Sequence, residues 1–287
     1  MRHALFIGPD KTGSTWLQRF AQAHPQIQAA QSKELFYFLQ SDGDRNLEWY
    51  RRKFEPVRPE HLVAFEVCHE YLFSPSAAAG IAADLPEATV IAGVRHPVER
   101  AYSSYRYMLR QGRTTLGFAA AVAQIDELVD HSRLATHLEP FLHHLGADRV
   151  ALLDFDLLGV DAQGYGDAAS SHLGLGSWSI PDELHDKVLA AATARSARLV
   201  RTLRFTASAL RRCGLYRPVE AAKRRLVESP LLFEPAAPVS AQSTVLDQEA
   251  SAFILDQLAD DIARLDEWFG TSFGARWGLN SPVRASV

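Results

Sequence analysis

One lysine lies in a glycine-bounded loop whose residue types suit the binding of an anion. Lys11 stands between Gly8 and Gly13, and the hydroxyl residues Ser14 and Thr15 follow directly. Backbone N–H groups in such a loop attract phosphate-like anions, as does the positive end of a helix that follows it. The pattern therefore indicates phosphate chemistry, with Lys11 as the cation of the loop.

The order of the residues separates this loop from the common nucleoside-triphosphate loop, which reads G-x-x-x-x-G-K-[ST]. Gly8 and Gly13 have the required separation, but Ser14 occupies the lysine position. The order Lys-x-Gly-Ser-Thr-Trp-Leu resembles the 5′-phosphosulfate loop of sulfotransferases that use 3′-phosphoadenosine 5′-phosphosulfate (PAPS). Another nucleotide, or a strand–turn–helix with no ligand, is the alternative for this loop alone. The resemblance implies a cofactor-binding run of Lys11, Thr12, Gly13, Ser14, Thr15 and Trp16.

A carboxylate suited to proton transfer follows the loop. Lys33 and Glu34 precede the aromatic run Phe36-Tyr37-Phe38. This order resembles the heparan sulfate and related carbohydrate sulfotransferases, and the resemblance implies that Glu34 is the general base. A carboxylate suits that role if it hydrogen-bonds the acceptor hydroxyl. The alternative is a surface ion pair beside a hydrophobic anchor. The family often has a histidine where this chain has Phe36.

A second segment matches the same family only in part. Glu66 and Tyr71 agree with its Glu-Lys-Thr-Pro-x-Tyr pattern, whereas Val67 replaces the lysine and His69 the proline. His69 is either a polar group on the substrate side, where it would be the alternative general base to Glu34, or a histidine whose hydrogen bonds are satisfied near the strand end. Histidine serves both roles readily.

An arginine at a strand end supplies a second anion signal. Arg95 follows the β-branched run 89–94, and Ser103 lies two turns into the helix that Pro97 begins. This resembles the sulfotransferase 3′-phosphate motif and implies that both side chains bind that phosphate, since arginine offers a planar fork of donors. A strand–helix junction with an arginine salt bridge is the alternative. Arg195 and Arg198, in the strongly basic stretch 195–225, are weaker candidates for a later cation at the same phosphate.

For these residues to form one site, the strands that precede them must end at the same edge of a sheet. Apolar runs at 4–7, 62–67, 89–94 and 150–155 predict buried strands, and helices are predicted at 76–84, 117–129, 132–145 and 247–269. Ser14 or Thr15 is expected to cap the helix after the loop. Alternation of strands and helices predicts an α/β fold, a single P-loop-like domain over 1–287 with a central parallel sheet flanked by helices. The segment 195–240 is expected to cap the acceptor cleft.

The composition of the chain limits the classes of binding partner and of metal site that can be expected. The 287 residues carry a net charge of −4, which argues against nucleic-acid binding, and the two cysteines do not make a disulfide framework or a zinc site. We find no signal peptide and no run long enough to span a bilayer, so a cytoplasmic protein is expected.

The combined motifs predict a PAPS-dependent sulfotransferase that needs no metal. It would transfer a sulfuryl group to a hydroxyl of a carbohydrate, lipid or small-molecule acceptor. The alternatives are a P-loop kinase, which would require Mg²⁺ and ATP, and a non-catalytic nucleotide-binding protein.

Overall fold

The computed structural model describes residues 1–185, 192–194, 233–235 and 248–279. The chain divides into two compact units. The first comprises Met1–Arg100, Val129–Val188 and Ile254–Val287, and the second comprises Ala101–Leu128 and Leu189–Phe253. Arg195, Arg198 and most of the segment 195–240 lie outside the described residues, and the single domain over 1–287 stays a prediction.

A five-stranded parallel sheet forms the centre of the first unit. Its strands are β1 (Arg2–Gly8), β2 (Ile27–Ala29), β3 (Val63–Val67), β4 (Thr89–Val94) and β5 (Val150–Asp154), in the spatial order β2-β3-β1-β4-β5. Every pairing is parallel, which confirms the predicted α/β fold. Strand β2 was not expected from the sequence, because three residues are too few to show a periodicity.

Helices connect these strands and continue through the second unit. Their bounds are α1 (Ser14–Ala23), α2 (Leu47–Arg51), α3 (Pro75–Asp84), α4 (Pro97–Arg110), α5 (Phe118–Gln124), α6 (Glu127–Asp130), α7 (Leu134–Leu145), α8 (Phe155–Leu158), α9 (Ala162–His172), α10 (Gln248–Phe269) and α11 (Phe273–Arg276). Short 3₁₀ turns lie at Tyr37–Leu39 and His69–Phe73, among other places. The helix predicted over 117–129 is wrong as one element, because Ile125 adopts an extended conformation and separates α5 from α6.

The core of the first unit fixes the glycine-bounded loop at both ends. The residues of β1 from Ala4 to Ile7 are buried, and α1 buries Trp16, Leu17 and Phe20 against the sheet. Burial of a large apolar side chain contributes about 1.5–3 kcal/mol, so the strand and the helix hold the loop between them firmly.

The described part of the second unit has its own local contacts. The Tyr105 hydroxyl donates to the Leu116 carbonyl at 2.8 Å, and Arg113 pairs with Glu127 at 2.6 Å. Strands β6 (Ala192–Ala194) and β7 (Phe233–Pro235) pair antiparallel. Ser103 lies on α4 in this unit.

Candidate active site

Strand register brings three loops to one edge of the sheet. Phe6 of β1 lies beside Val67 of β3 on one side and Ile91 of β4 on the other. Because all three strands run in the same direction, the loops that follow them meet at their carboxyl ends, where open α/β sheets bind ligands. Lys11, His69 and Arg95 are in these loops.

Close backbone packing sets the path of the loop after β1. A Cβ atom on Gly8, which has a φ of 128°, would lie 2.4 Å from the His69 carbonyl oxygen. A Cβ on Gly93 would lie 2.4 Å from Oγ1 of Thr12. The Thr12 side chain is fully buried, and its hydroxyl donates to the Pro9 carbonyl at 2.7 Å. Thr12 therefore braces the loop through its side chain, and its hydroxyl is not available to a ligand.

The N-terminus of α1 carries no cap from a side chain. The N-cap position is Gly13, in the left-handed conformation, and no acidic residue lies in the first turn. The expectation that Ser14 or Thr15 caps the helix is wrong, because both residues are already helical. The first N–H groups of a helix have no partner within it. Together with the helix dipole they favour an anion at this position.

Two of the predicted binding residues, Arg95 and Lys11, are hydrogen-bonded to each other. The Arg95 guanidinium donates from Nη1 to the Lys11 carbonyl oxygen at 3.0 Å, and its Nη2 lies 3.4 Å from Glu99. The same guanidinium lies over the Phe155 ring at 4.9 Å from the ring centroid. Arg95 therefore connects the end of β4 to the loop after β1, which brings the two predicted anion motifs into contact.

The two predicted bases form one pair. Glu34 Oε1 lies 2.7 Å from His69 Nδ1, and His69 Nε2 lies 3.3 Å from Glu70. Burial acts to lower the pKa of His69, but its hydrogen bonds and charge interactions with Glu34 and Glu70 outweigh burial and raise this pKa to about 9. His69 is therefore protonated at neutral pH, which leaves it no free lone pair with which to take a proton.

Glu34 occupies a constrained backbone position. Its φ is 57°, in the left-handed region, and its N–H donates to the Val67 carbonyl at 2.9 Å. Oε2 of Glu34 is buried and has no hydrogen-bond partner among the residues that the structure describes. The buried Cys68 thiol lies close to this carboxylate: burial raises the pKa of the thiol, and the charge of Glu34 raises it further.

Lys33 reaches the phosphate-type loop, which the sequence did not predict. Its Nζ lies 3.0 Å from Ser14 Oγ and 3.3 Å from Thr15 Oγ1. Glu34 turns instead to His69, so the surface Lys33–Glu34 ion pair considered from the sequence is not what these contacts show. The only signal in the sequence was a cation directly before the predicted base.

Asp10 of the same loop is tied to a buried arginine. Asp10 Oδ1 lies 3.1 Å from Arg100 Nη1 and 3.0 Å from His131 Nδ1, while Arg100 Nε donates to Ser132 Oγ at 2.5 Å. Burial acts to raise the pKa of Asp10, but the hydrogen bond with His131 and the charge of Arg100 hold that pKa well below its usual range. Arg100 belongs to no recognised motif, so its pairing with Asp10 could not be predicted from the sequence.

Behind Glu34, a buried carboxyl group anchors the aromatic segment. Glu66 accepts hydrogen bonds from the hydroxyls of Tyr50 and Tyr71, each at 2.8 Å, and the Tyr71 hydroxyl accepts from the N–H of Tyr37 at 3.0 Å. Burial raises the pKa of Glu66 to about 7, against the effect of the two hydroxyls. Glu66 and Tyr71, matched in the sequence to a family pattern, thus position the chain that carries Glu34.

The structure brings most predicted site residues into the first unit. Lys11, the run 12–15, Glu34, His69 and Arg95 belong to it, whereas Ser103 belongs to the second unit. The Trp16 side chain lies in the core and donates from Nε1 to the Leu184 carbonyl at 2.8 Å. Any contribution of Trp16 to a ligand site would come from its backbone N–H.

The parallel sheet defines an α/β protein, and the uncapped helix after β1 and the arginine after β4 lie at the carboxyl ends of its strands. Residues 60–179 match the model of the "Sulfotransferase family". The chain is 27% identical over 180 residues to the bifunctional heparan sulfate N-deacetylase/N-sulfotransferase 1 of Caenorhabditis briggsae, covering 54% of this chain and 20% of that protein. It is 28% identical over 181 residues to the mouse heparan sulfate glucosamine 3-O-sulfotransferase 3A1, covering 60% and 45%.

A solved structure agrees in fold. The sulfotransferase from Alicyclobacillus acidocaldarius superposes with a TM-score of 0.56 at 24% identity, over 66% of this chain and 87% of that one. The chain is thus similar to sulfotransferases over the residues that these comparisons cover. It spans about a fifth of the length of the first curated relatives that it matches. No helix in the described part of the chain is both long and apolar enough to cross a membrane.

Proposed function

We propose that this protein is a PAPS-dependent sulfotransferase that acts on a hydroxyl acceptor. One observation carries the proposal: Glu34, paired with His69, lies in the same unit as the Lys11 loop, and the Gly8–His69 backbone contact brings the loops after β1 and β3 together. A base beside an anion loop is what in-line transfer to a hydroxyl requires, because alignment and charge stabilisation supply most of the catalysis.

The residues at the N-terminus of α1 suit the binding of the 5′-phosphate of the nucleotide. The first turn of α1 offers N–H groups with no side-chain cap and no carboxylate, and Ser14 and Thr15 place hydroxyls there. PAPS, when bound, supplies the activated sulfuryl group. Gly13, Ser14 and Thr15 would bind the 5′-phosphate, with Thr12 contributing its backbone N–H. Lys11 would stabilise the charge that grows on the bridging oxygen and on the sulfuryl group.

Glu34 would take the proton of the acceptor hydroxyl. The raised pKa of His69 favours Glu34 over His69, since a protonated imidazole cannot act as a base near neutral pH. In this proposal His69 orients Glu34 through their 2.7 Å hydrogen bond.

Arg95 would bind the 3′-phosphate from the end of β4. Its link to the Lys11 carbonyl connects that role to the 5′ loop. Ser103, Arg195 and Arg198 stay predictions from the sequence for the same phosphate.

The remaining parts of the proposal concern the acceptor and the setting. The acceptor is a hydroxyl group of a carbohydrate, a lipid or another small molecule. We also propose that transfer needs no metal, that the protein is cytoplasmic, that 1–287 is one sulfotransferase domain, and that the segment 195–240 caps the acceptor cleft.

Calorimetry with 3′-phosphoadenosine 5′-phosphate (PAP), followed by transfer of labelled sulfate from PAPS to a panel of alcohols, tests the proposal. We expect PAP binding without Mg²⁺ and labelled product. The Lys11→Ala variant should keep much of its PAP affinity and lose about a hundredfold or more in kcat, with Lys53→Ala as the control. ATP turnover that requires Mg²⁺ would point instead to a kinase, and PAP binding with no transfer to any acceptor would point to a silent nucleotide-binding protein.

A further inference from the structure

Lys33 makes contacts that its neighbours in the sequence do not explain. Its ammonium group lies within hydrogen-bond distance of two hydroxyl oxygens, those of Ser14 and Thr15. An ammonium group has three N–H donors and no acceptor, so in both contacts the hydroxyl oxygen accepts. The side chain is half-buried, which strengthens these contacts relative to contacts in open solvent.

Acceptance of these hydrogen bonds fixes where the hydroxyl protons can go. A serine or threonine hydroxyl that receives an N–H on its oxygen keeps its own O–H, and this proton must turn away from the cation. Ser14 and Thr15 are the first two residues of α1, at the end where the backbone N–H groups lack a side-chain cap. The hydroxyl protons and the N–H groups therefore become available to the same anion.

Lys33 also connects this end of α1 to the proposed base. It directly precedes Glu34, whose N–H is held by the Val67 carbonyl and whose carboxylate is held by His69. A shift of Lys33 would thus disturb the donor loop and the base together. Lys11, by contrast, is connected to Arg95 and β4 through its carbonyl oxygen.

We propose that Lys33 is a positioning residue of the donor site, which orients the Ser14 and Thr15 hydroxyls toward the 5′-phosphate end of the nucleotide and adds a second cation there. This inference rests on the proposed function. It assigns the charge at this end of the site to two lysines, one on the loop after β1 and one on the segment that carries the base.

The test is calorimetry on Lys33→Met, with PAP and with adenosine 3′-monophosphate, which lacks the 5′-phosphate. We expect PAP affinity to fall about ten- to hundredfold, since charge-assisted hydrogen bonds are lost, and affinity for adenosine 3′-monophosphate to stay unchanged. Lys53→Met is the matched control, because the Lys53 ammonium group lies over the Trp49 ring, 4.4 Å from the ring centroid, and not at the N-terminus of α1. Lys33→Arg should recover part of the affinity.

A double variant separates positioning from general support of the fold. If Lys33 acts through the hydroxyls, Ser14→Ala combined with Thr15→Val should cost much less PAP affinity in the Lys33→Met background than in the wild type. Full PAP affinity in Lys33→Met, or equal losses for both nucleotides, would overturn the role of Lys33. Failure of the wild type to bind PAP would instead remove the proposed function, and the Lys33 role with it.

Discussion

Glu34 and His69 are bound to each other, and this contact decides how each can act. A protonated imidazole that donates a hydrogen bond to a carboxylate has no lone pair with which to take a proton. The sequence presented the two residues as rivals for one role. Under the proposed function, their 2.7 Å contact pairs a base, Glu34, with the group that orients it, His69.

Glu34→Gln should retain PAP binding and lose kcat by about 10²–10⁴, because the amide keeps the shape of the side chain and cannot take a proton. Steady-state transfer at saturating acceptor measures the change. Glu70→Gln is the control, since Glu70 also contacts His69 but lies on the far nitrogen. Near-normal turnover in Glu34→Gln would exclude this carboxylate as the base.

Stability should respond to pH through His69. The pKa of folded His69, about 9, lies above its ordinary value of 6.5, so the pair contributes its full stability below pH 6.5 and loses it between pH 6.5 and 9. The contribution is at most about 3 kcal/mol, since one pKa unit corresponds to about 1.4 kcal/mol and partial exposure screens the pair. His69→Gln should therefore be clearly less stable than the wild type at pH 6.

Chemical denaturation at pH 6 and at pH 9.5 measures this difference. His144→Gln, at an exposed position of α7, is the control and should leave stability unchanged at both pH values. A stability loss in His69→Gln that is equal at the two pH values would mean that packing, and not the charge of the imidazolium, accounts for it.

At the scale of elements, strand β4 makes room for the loop after β1, because one residue of the strand that faces this loop is a glycine. Gly93 leaves room for Thr12, and an added Cβ would lie 2.6 Å from the Thr12 Cβ atom as well as against its hydroxyl. Neither Thr12 atom can move freely, because Thr12 is fully buried and its hydroxyl is hydrogen-bonded to the Pro9 carbonyl. The loop therefore depends on the register between β1 and β4.

Gly93→Ala should destabilise the protein by about 1–3 kcal/mol, the usual range for an overpacked core, and should weaken PAP binding because the loop must shift. Denaturation and calorimetry on the same preparation measure both effects. Gly43→Ala is the control, since a Cβ there meets nothing within 4 Å. Wild-type stability and PAP affinity in Gly93→Ala would show that the loop does not depend on this contact.

Long elements were predictable from the sequence because periodicity and apolar runs define them. The strand at 89–94 and the strand–loop–helix around Lys11 were found in this way, and the parallel sheet followed. The cap of α1 was predicted wrongly, since hydroxyl residues suit both a cap and a first turn. Lys33 and Arg100 could not be placed, because their partners lie far away in the chain and only the fold brings them together.

At the scale of the whole molecule, ligand binding and folding are linked. A ligand that binds the native state stabilises it by about 2.7 kcal/mol at a hundred times its Kd. PAP should therefore raise the melting temperature in proportion to the logarithm of its concentration, and EDTA should leave both this shift and sulfate transfer unchanged. Loss of the shift in EDTA would show that a metal takes part in binding.

The left-handed residues of the first unit set a limit on engineering. Lys11, Glu34 and Phe36 have φ values of 67°, 57° and 55°, a conformation that costs a non-glycine residue about 1–2 kcal/mol. A library selected for thermal tolerance alone should enrich glycine at these positions, because relief of the strain is the simplest gain available there. Glycine at 11 or 34 removes a proposed catalytic group, so heat-selected survivors should be inactive, and an improved enzyme would have to gain its stability elsewhere in the fold.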